Sequence, residues 1–471
     1  MRRLRLEIVI PTLFLFFAAF MFGFVAQDVC ASRGDVRKWS ASLELLPQRL
    51  ESIGSRSPDE VNEDKPLPLM DTYTSVIERL KSDSYYFGRK VGEREMDERE
   101  LTYSAIRGTL HALDDPFTRF LDPDEYKKMR QENEGNFTGI GAQLETNKKG
   151  EVYVKEPLDD PPSPALRAGV KSNDVILAVD GKVIKGMDIL DVVDLIRGED
   201  GTKVRLTFRR PGRPKPFDLT IVRALVQFKM VKSRMLDEKN KIGYIQLYQF
   251  NEQSDVQFDK ALTELDKSHM KGLILDLRGN PGGLLQVAVD IGSRFIESGP
   301  VVIIQERGGQ RNQLLVEEDK HNHTRYPLVV LVNKSSASAS EIVSGAIKDD
   351  QAGTLVGVTT FGKGRVQTIM QLQDGSAVAV TTAKYLTPKG TDIHKKGIDP
   401  DVKVEQPDLE TVLLQFGVIK HPGDEYPDNL DTTDPKYDLQ LTKAVQVMKV
   451  KLGILPKSVL ESTKKTAKAQ E

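Results

Sequence analysis

From residue 69 onward the apolar positions fall into stripes and alternations that mark separate regions. Leu69, Tyr73, Val76, Ile77 and Leu80 share one face of a helix, and Tyr103, Ile106, Leu110 and Leu113 share one face of a second. The second helix is opened by Asp97 with Glu100 three residues on, a capping pair. Between Phe137 and Ala224 the pattern turns to short strands. Residues 175–179 form a compact strand closed by Asp180-Gly181, and Val204, Leu206 and Phe208 alternate with Arg205, Thr207 and Arg209 ahead of a turn at 211–216. One short helix lies between them, with Ile189, Val192, Val193 and Ile196 facing inward. From about Val226 to Pro407, β-rich runs at 242–247, 273–277, 328–332 and 377–382 alternate with helical stretches, an α/β layout. Leu441, Val445, Met448 and Leu452 form a last amphipathic helix before a lysine-bearing tail.

Ahead of these lies an apolar run, residues 8–26, interrupted by Pro11 and Gly23 and preceded by Arg2, Arg3 and Arg5. Nineteen residues at 1.5 Å rise reach about 28 Å, close to the roughly 30 Å of a bilayer's hydrocarbon layer. Basic residues before such a run keep the N-terminus in the cytoplasm and send the rest across. Val29-Cys30-Ala31 suits a signal-peptidase site, and Val29 excludes a lipobox. The expectation is an exported, periplasmic or otherwise extracytoplasmic protein, with a cleaved leader and a retained inner-membrane anchor at 8–26 both fitting. The organisation read from the chain is a leader or anchor at 1–31, a linker at 32–68 carrying Pro47, Pro58, Pro66 and Pro68, and a helical region at 69–134. A strand-rich module comes next at 135–225, then an α/β core at 226–407 and a helical region with its tail at 408–471.

Composition narrows the chemistry. At 471 residues the chain holds about three folded units at roughly 150 residues each, and 39% hydrophobic residues suffice for real cores. Lys+Arg 67 against Asp+Glu 69 gives no reason to expect nucleic acid as a partner. One cysteine, Cys30, excludes an internal disulfide framework and multi-cysteine metal sites, and no HExxH is present among the six histidines. No metal and no organic cofactor is expected. The chemistry must come from oxygen and nitrogen side chains.

Three segments carry candidate chemistry. The run 328–332 leads into Asn333-Lys334-Ser335-Ser336-Ala337-Ser338-Ala339-Ser340-Glu341 and a helix through Ile342, Ala346 and Ile347. Ser338 stands at the mouth of that helix with the Ala339 N–H beside it, a place that suits an oxyanion. Ser338-x-x-Glu341 also reads as an ordinary capping box. Thr360-Phe361-Gly362-Lys363-Gly364 sets one lysine between two glycines after a strand at 354–358. An ordinary lysine is protonated at neutral pH, but burial in apolar surroundings lowers its pKa and makes it a usable base for a serine. Asp276-Leu277-Arg278-Gly279-Asn280-Pro281-Gly282-Gly283 comes after a strand and opens a helix; its glycines offer a second backbone N–H for an oxyanion. The rival phosphate cradle lacks GxxxxGK[ST] and GxGxxG.

Within 137–224, Gly139-Ile140-Gly141-Ala142 is a weak motif alone. With Ser163-Pro164-Ala165-Leu166-Arg167-Ala168-Gly169-Val170, then Asp174-Val175-Ile176 and Asp180-Gly181, it resembles the PDZ domain pattern. That resemblance implies a clamp for an extended peptide whose terminal carboxylate is held by the N–H groups of Gly139, Ile140, Gly141 and Ala142. Asn173 stands where many such domains carry Gly, and asparagine tolerates the positive φ required. Arg197 fits a peptide contact, a contact to the catalytic core, or a solvated cation at a helix end.

SSASASE, TFGKG and DLRGNPGG together, behind a PDZ-like module, resemble the carboxyl-terminal processing (tail-specific) proteases over roughly residues 70–405. The resemblance implies a multidomain α/β protein with a crotonase-like protease core, an inserted PDZ domain and helical N- and C-terminal segments. It implies a serine-lysine peptidase: Ser338 as nucleophile, Lys363 as base 25 residues on (363 − 338), and Gln367 orienting the lysine. Gly283 and Ala339 carry over as oxyanion donors, and Glu341, Asp349 and Thr360 as supporting positions. Each of those three also has a plain reading, as helix-cap acid, helix-end polar group and strand-end hydroxyl. Arg365-Val366 between lysine and glutamine is a variable site whose cation narrows the entrance. The partners implied are protein substrates with free, apolar C-termini, and the terminal helices fit either dimerising arms of a homo-oligomer or caps on the core. The alternatives are a catalytically silent PDZ scaffold binding C-terminal peptides and a crotonase-like acyl-CoA enzyme. A Ser-His-Asp hydrolase is disfavoured, since there is no GxSxG and no motif places His269, His321, His323 or His394.

Overall fold

The computed structural model describes residues 69–91, 94–147, 149–158, 162–320, 326–421 and 435–460. The expected leader and linker at 1–68, Cys30 among them, lie outside the described residues, as does the tail at 461–471. Among the described residues no helix is long and apolar enough to cross a membrane. The chain divides into two compact units, residues 1–120 and 121–471.

The first unit holds α1 (Leu69–Asp83), a short hairpin of β1 (Lys90–Val91) and β2 (Arg94–Glu95), and α2 (Glu98–His111), and β3 (Arg119–Leu121) runs across its end at residue 120. The Asp97 carboxylate accepts the Glu100 N–H at 2.8 Å, so α2 starts at the expected capping pair. Tyr103 is buried against Phe120, ring centroids 4.7 Å apart. The stripe on α1 is less buried than its spacing suggests: Tyr73 and Ile77 are half-buried, while Val76 and Leu80 are exposed.

The second unit opens with α3 (Pro123–Glu134), capped by Asp122 and Glu125 and ended by Gly135 at φ 72°. Next come β4 (Asn136–Gly139), β5 (Ala142–Thr146), β6 (Val152–Pro157), α4 (Pro164–Arg167), β7 (Val175–Val179), β8 (Lys182–Val183), α5 (Ile189–Ile196), β9 (Lys203–Arg209) and β10 (Phe217–Val222). Their sheet runs β10-β9-β7-β6-β5, leaving β5 at an edge beside α5. Asn173 takes φ 68° and Asp180-Gly181 take 50° and 84°, so each expected turn uses the left-handed conformation its residues tolerate. β11 (Ala224–Gln227) then returns to pair with β4, Ala224 opposite Gly139, so the module's two ends meet before the chain enters the α/β core.

That core comprises β12 (Val231–Asp237), β13 (Ile242–Leu247), α6 (Ser254–Lys267), β14 (Gly272–Asp276), α7 (Leu285–Ser293), β15 (Pro300–Glu306), β16 (Arg311–Leu315), β17 (Leu328–Val332), α8 (Ala339–Asp349), β18 (Thr354–Gly357), β19 (Arg365–Gln371), β20 (Ala377–Leu386), β21 (Val402–Lys403), α9 (Leu409–Gln415) and α10 (Leu439–Lys451). The central sheet has the order β12-β13-β14-β17-β18-β21, with β13 to β21 parallel. Its inner strands β14 and β17 are largely apolar and fully buried because both faces are covered. Leu273, Leu275, Leu328, Val330 and Val332 face α6, α7 and α8, while Ile274, Val329 and Leu331 face Leu441, Ala444, Val447 and Met448 of α10. The C-terminal helix therefore caps the core. It is also pinned at its start, where Arg278 is held between Asp276 and Asp438 at 2.7 Å each. The run 377–382 belongs to β20, in a separate antiparallel sheet ordered β16-β15-β20-β19.

Candidate active site

Parallel pairing of β14, β17 and β18 sends the three motif segments off the same edge of the sheet. In open α/β sheets that carboxyl edge is where ligands bind. The segments are then tied to one another. The Gly279 N–H donates to Asn333 Oδ1 at 3.0 Å, Ser336 Oγ donates to the Leu277 carbonyl at 2.7 Å, and the Phe361 N–H donates to the Ser336 carbonyl at 3.0 Å. Asn280, fully buried, accepts at its carbonyl from the Ala337 N–H (3.1 Å) and Ser340 Oγ (2.9 Å), while its side chain donates to the Leu247 carbonyl at 2.8 Å.

Ser338 stands on the turn into α8 at φ 53°, ψ −113°, outside the ordinary regions for an L-residue. Strain of this kind costs about 1–3 kcal/mol and persists where the surroundings impose it. Here they do. The Ser338 N–H donates to Glu341 Oε2 at 3.0 Å, and the Glu341 N–H donates to the Ser338 carbonyl at 2.8 Å. Gly282 presses on the same turn: a Cβ at Gly282 would lie 2.8 Å from the Ala337 oxygen, 2.8 Å from Ser338 Cβ and 2.9 Å from the Ala339 nitrogen. Only glycine fits there. Gly283 is next, at φ 142° and half of a bridge to Phe250, and among the described residues neither its N–H nor that of Ala339 has a hydrogen-bond partner. Ser338 is half-buried between two buried alanines, and Gly283 is exposed.

Lys363 is likewise half-buried between two buried glycines. Gly362 lies at φ 88° against the backbone of Lys395, Lys396 and Gly397, and Gly364 against His394. Glu341, 1% exposed, joins this loop to the Ser338 turn. Its Oε2 accepts the N–H groups of Ser338 and Lys363 (2.8 Å), and its Oε1 accepts Thr360 Oγ1 (2.5 Å) and the Gly362 N–H (2.7 Å). Burial pushes the Glu341 carboxyl above its ordinary range, and these donors pull against that rise. Thr360 Oγ1 also accepts the Ile398 N–H at 2.7 Å. Glu341 thus makes the capping-box return to the Ser338 N–H and also accepts from the lysine loop.

Of the other expected residues, Gln367 lies on β19 opposite Thr381 and its amide donates to Thr381 Oγ1 at 3.4 Å. Asp349 closes α8 and accepts the Lys389 N–H at 2.9 Å, away from the Ser338 turn. In the PDZ module the carbonyls of Ile140 and Gly141 accept from Ala165 (2.7 Å) and Leu158 (3.0 Å), while the Ile140 and Gly141 N–H groups have no backbone acceptor among the described residues. Arg197 packs over the Phe137 ring at 5.9 Å, and its guanidinium feels Asp194 and Glu132. It is therefore not a simply solvated cation.

Sequence reading missed Tyr385 and the tie made by Asn280. Tyr385, 3% exposed, places its hydroxyl 3.1 Å from the Ser338 carbonyl, within hydrogen-bond reach of the Lys363 carbonyl and 3.5 Å from Glu341 Oε2. In sequence it is one more aromatic on a β-rich run. The position of Asn280 inside a glycine-bearing loop was the signal available for the other.

A model of peptidase family S41 matches residues 241–404, and one of a PDZ domain matches residues 160–210. The carboxy-terminal processing protease CtpA of Bacillus subtilis is 39% identical over 370 residues, 78% of this chain and 73% of its own. The carboxyl-terminal-processing protease of Synechocystis sp. is 35% identical over 405 residues, 84% of this chain and 93% of its own. Among solved structures, a photosystem II D1 C-terminal processing protease is 36% identical, covering 72% of this chain and 93% of its own, with a TM-score of 0.42. The chain belongs to peptidase family S41, and is a serine endopeptidase of the carboxyl-terminal processing kind with a PDZ domain.

Proposed function

We propose that this chain is an exported endopeptidase, built on a crotonase-like core, that captures the free C-terminal tail of a protein substrate in its PDZ domain. It cuts that substrate upstream with a Ser338–Lys363 dyad. The observation that carries the proposal is the packing of Gly282 against Ser338 and the Ala339 nitrogen, beside two N–H groups that have no partner among the described residues. Ser338 Oγ attacks the scissile carbonyl as Lys363 Nζ takes its proton, and the oxyanion is met by the Gly283 and Ala339 N–H groups. Lys363 returns the proton to the leaving amine, a water then attacks the acyl-serine, and Gln367 orients the lysine. In the PDZ domain the tail adds to the edge of β5, and its carboxylate meets the loop Gly139–Ala142, where the carbonyls of Ile140 and Gly141 are already taken.

Two variants test this. Ser338→Ala should still bind a tail peptide while losing all cleavage, and Lys363→Arg should fold but not cut, since guanidinium stays protonated. Cleavage by either variant at the wild-type rate would overturn the dyad. Failure of Ser338→Ala to bind tails would overturn the capture step alone.

A further inference from the structure

Ser338 and Lys363 share their backbone partners. One atom, Glu341 Oε2, accepts the N–H groups of both, at 3.0 and 2.8 Å. The Tyr385 hydroxyl lies against the carbonyls of the same two residues, 3.1 Å from Ser338 O and hydrogen-bonded to Lys363 O. The N–H pair is tied through one oxygen and the C=O pair through another, and those two oxygens are themselves 3.5 Å apart. An ordinary core tyrosine needs one acceptor for its hydroxyl. This one is shared between two residues 25 apart in sequence (363 − 338), brought together only by the fold.

The ring is also rigidly carried. Tyr385 is on β20, paired with Ile304 of β15, and packs into the main core. Burial and the nearby Glu341 charge hold its phenol well above the ordinary range, so it remains a donor at any working pH.

We infer that Tyr385 is a positioning residue whose hydroxyl, with Glu341 Oε2, fixes the distance between the Ser338 and Lys363 backbones and so gives proton transfer between their side chains a single geometry. The inference rests on the serine-lysine reading above. Proton transfer requires heavy atoms within about 2.6–3.2 Å, and a misplacement of about 1 Å can cost on the order of a hundredfold in rate.

The test uses the full chain and a peptide substrate with a free C-terminus. Tyr385→Phe keeps the ring and removes one oxygen. It should lower kcat about ten- to a hundredfold with KM nearly unchanged. The limb of the pH–rate profile assigned to Lys363 should move upward as the loosened lysine meets more water. Labelling of Ser338 by a fluorophosphonate should slow in parallel. A structural role alone would lower the melting temperature and leave kcat per folded molecule and the pH limb in place, overturning the inference. Glu341→Gln combined with Tyr385→Phe should cost less than the product of the single losses; additive losses would also overturn it. If Tyr385→Phe does not fold, fluorotyrosine at 385 keeps the packing and alters the donor, and an unchanged kcat there counts against the role. Ser338→Ala and Lys363→Ala run alongside: cutting by these refutes the dyad, whereas their silence beside a fully active Tyr385→Phe refutes Tyr385 only.

Discussion

Gly283 offers the sharpest test of the oxyanion site. At φ 142° it lies where alanine is strained, and an added Cβ would stand 2.0 Å from the Phe250 carbonyl oxygen. That oxygen cannot simply retreat, because it accepts the Leu284 N–H at 2.7 Å while the Phe250 N–H donates to Gly282 at 2.9 Å. Gly283→Ala must therefore rotate the peptide between 282 and 283, at about 1–3 kcal/mol of strain or lost pairing, and turn its N–H away from the place the proposed oxyanion would take. Removing one oxyanion donor costs about 10²–10³ in kcat, or about 2.7–4 kcal/mol of transition-state stabilisation. KM should change little, because the donor acts on charge that exists only in the transition state. Steady-state kinetics on a tail-bearing substrate, with a thermal melt of each protein, reads both effects. Gly309→Ala is the control: φ is 84° and a Cβ would meet nothing within 4 Å, so it carries backbone strain without touching the site. It should lose stability and keep kcat. A folded Gly283→Ala protein with wild-type kcat would show that this N–H does not face the oxyanion.

Amidating the substrate's C-terminus removes the charge that the PDZ loop should bind. A lost charge-assisted hydrogen bond of about 1.5–3 kcal/mol should raise KM roughly ten- to a hundredfold, and equal cleavage of amide and acid would refute tail reading. Thr360→Val leaves the Ile398 N–H without its acceptor and Glu341 Oε1 with one donor fewer; a loss of about 1–3 kcal/mol in urea unfolding is expected, and an unchanged midpoint would refute it. Asp237 is held down to about 2, chiefly by the Asn240 side chain and further by Lys449 of α10. A depressed carboxylate adds stability above its unfolded value of 3.8 and loses it as pH falls toward about 2. Stability measured between pH 5 and 2 should therefore fall more steeply for the wild type than for Asp237→Asn, and equal slopes would refute the assignment.

Much of the fold is legible because burial leaves a plain mark on sequence. The strand at 328–332 reads as an unbroken apolar run since both faces are covered, that at 242–247 is broken by Gly243 and Gln246 but still mostly apolar, and Asn173 announces its own turn. The cap before α3 is written in Asp122-Pro123-Asp124-Glu125, but α3 has no buried residue, so no apolar stripe draws the eye to it. Tyr385 is not legible. Its ring behaves as any strand aromatic would, and only the fold brings its oxygen to residues 338 and 363. The stripe on α1 reads as amphipathic, yet Val76 and Leu80 are exposed, since periodicity reports a shared face and not what covers it.

Glu341 has a consequence for when the enzyme becomes one. Its carboxylate collects donors from residues 338, 360, 362 and 363, Thr360 is anchored by residue 398, and the phenol comes from residue 385. Only the first of these contacts is local, so although Asn280 and Gly282 already pack on the strained Ser338 turn, the lysine loop and the phenol are tied to it only once about residue 400 has been made. The far face of the sheet stays uncovered longer still, until α10 arrives at 439–451. A chain stopped before about residue 385 should therefore carry Ser338 on its turn but lack the phenol that ties that turn to the Lys363 loop, and should not cut.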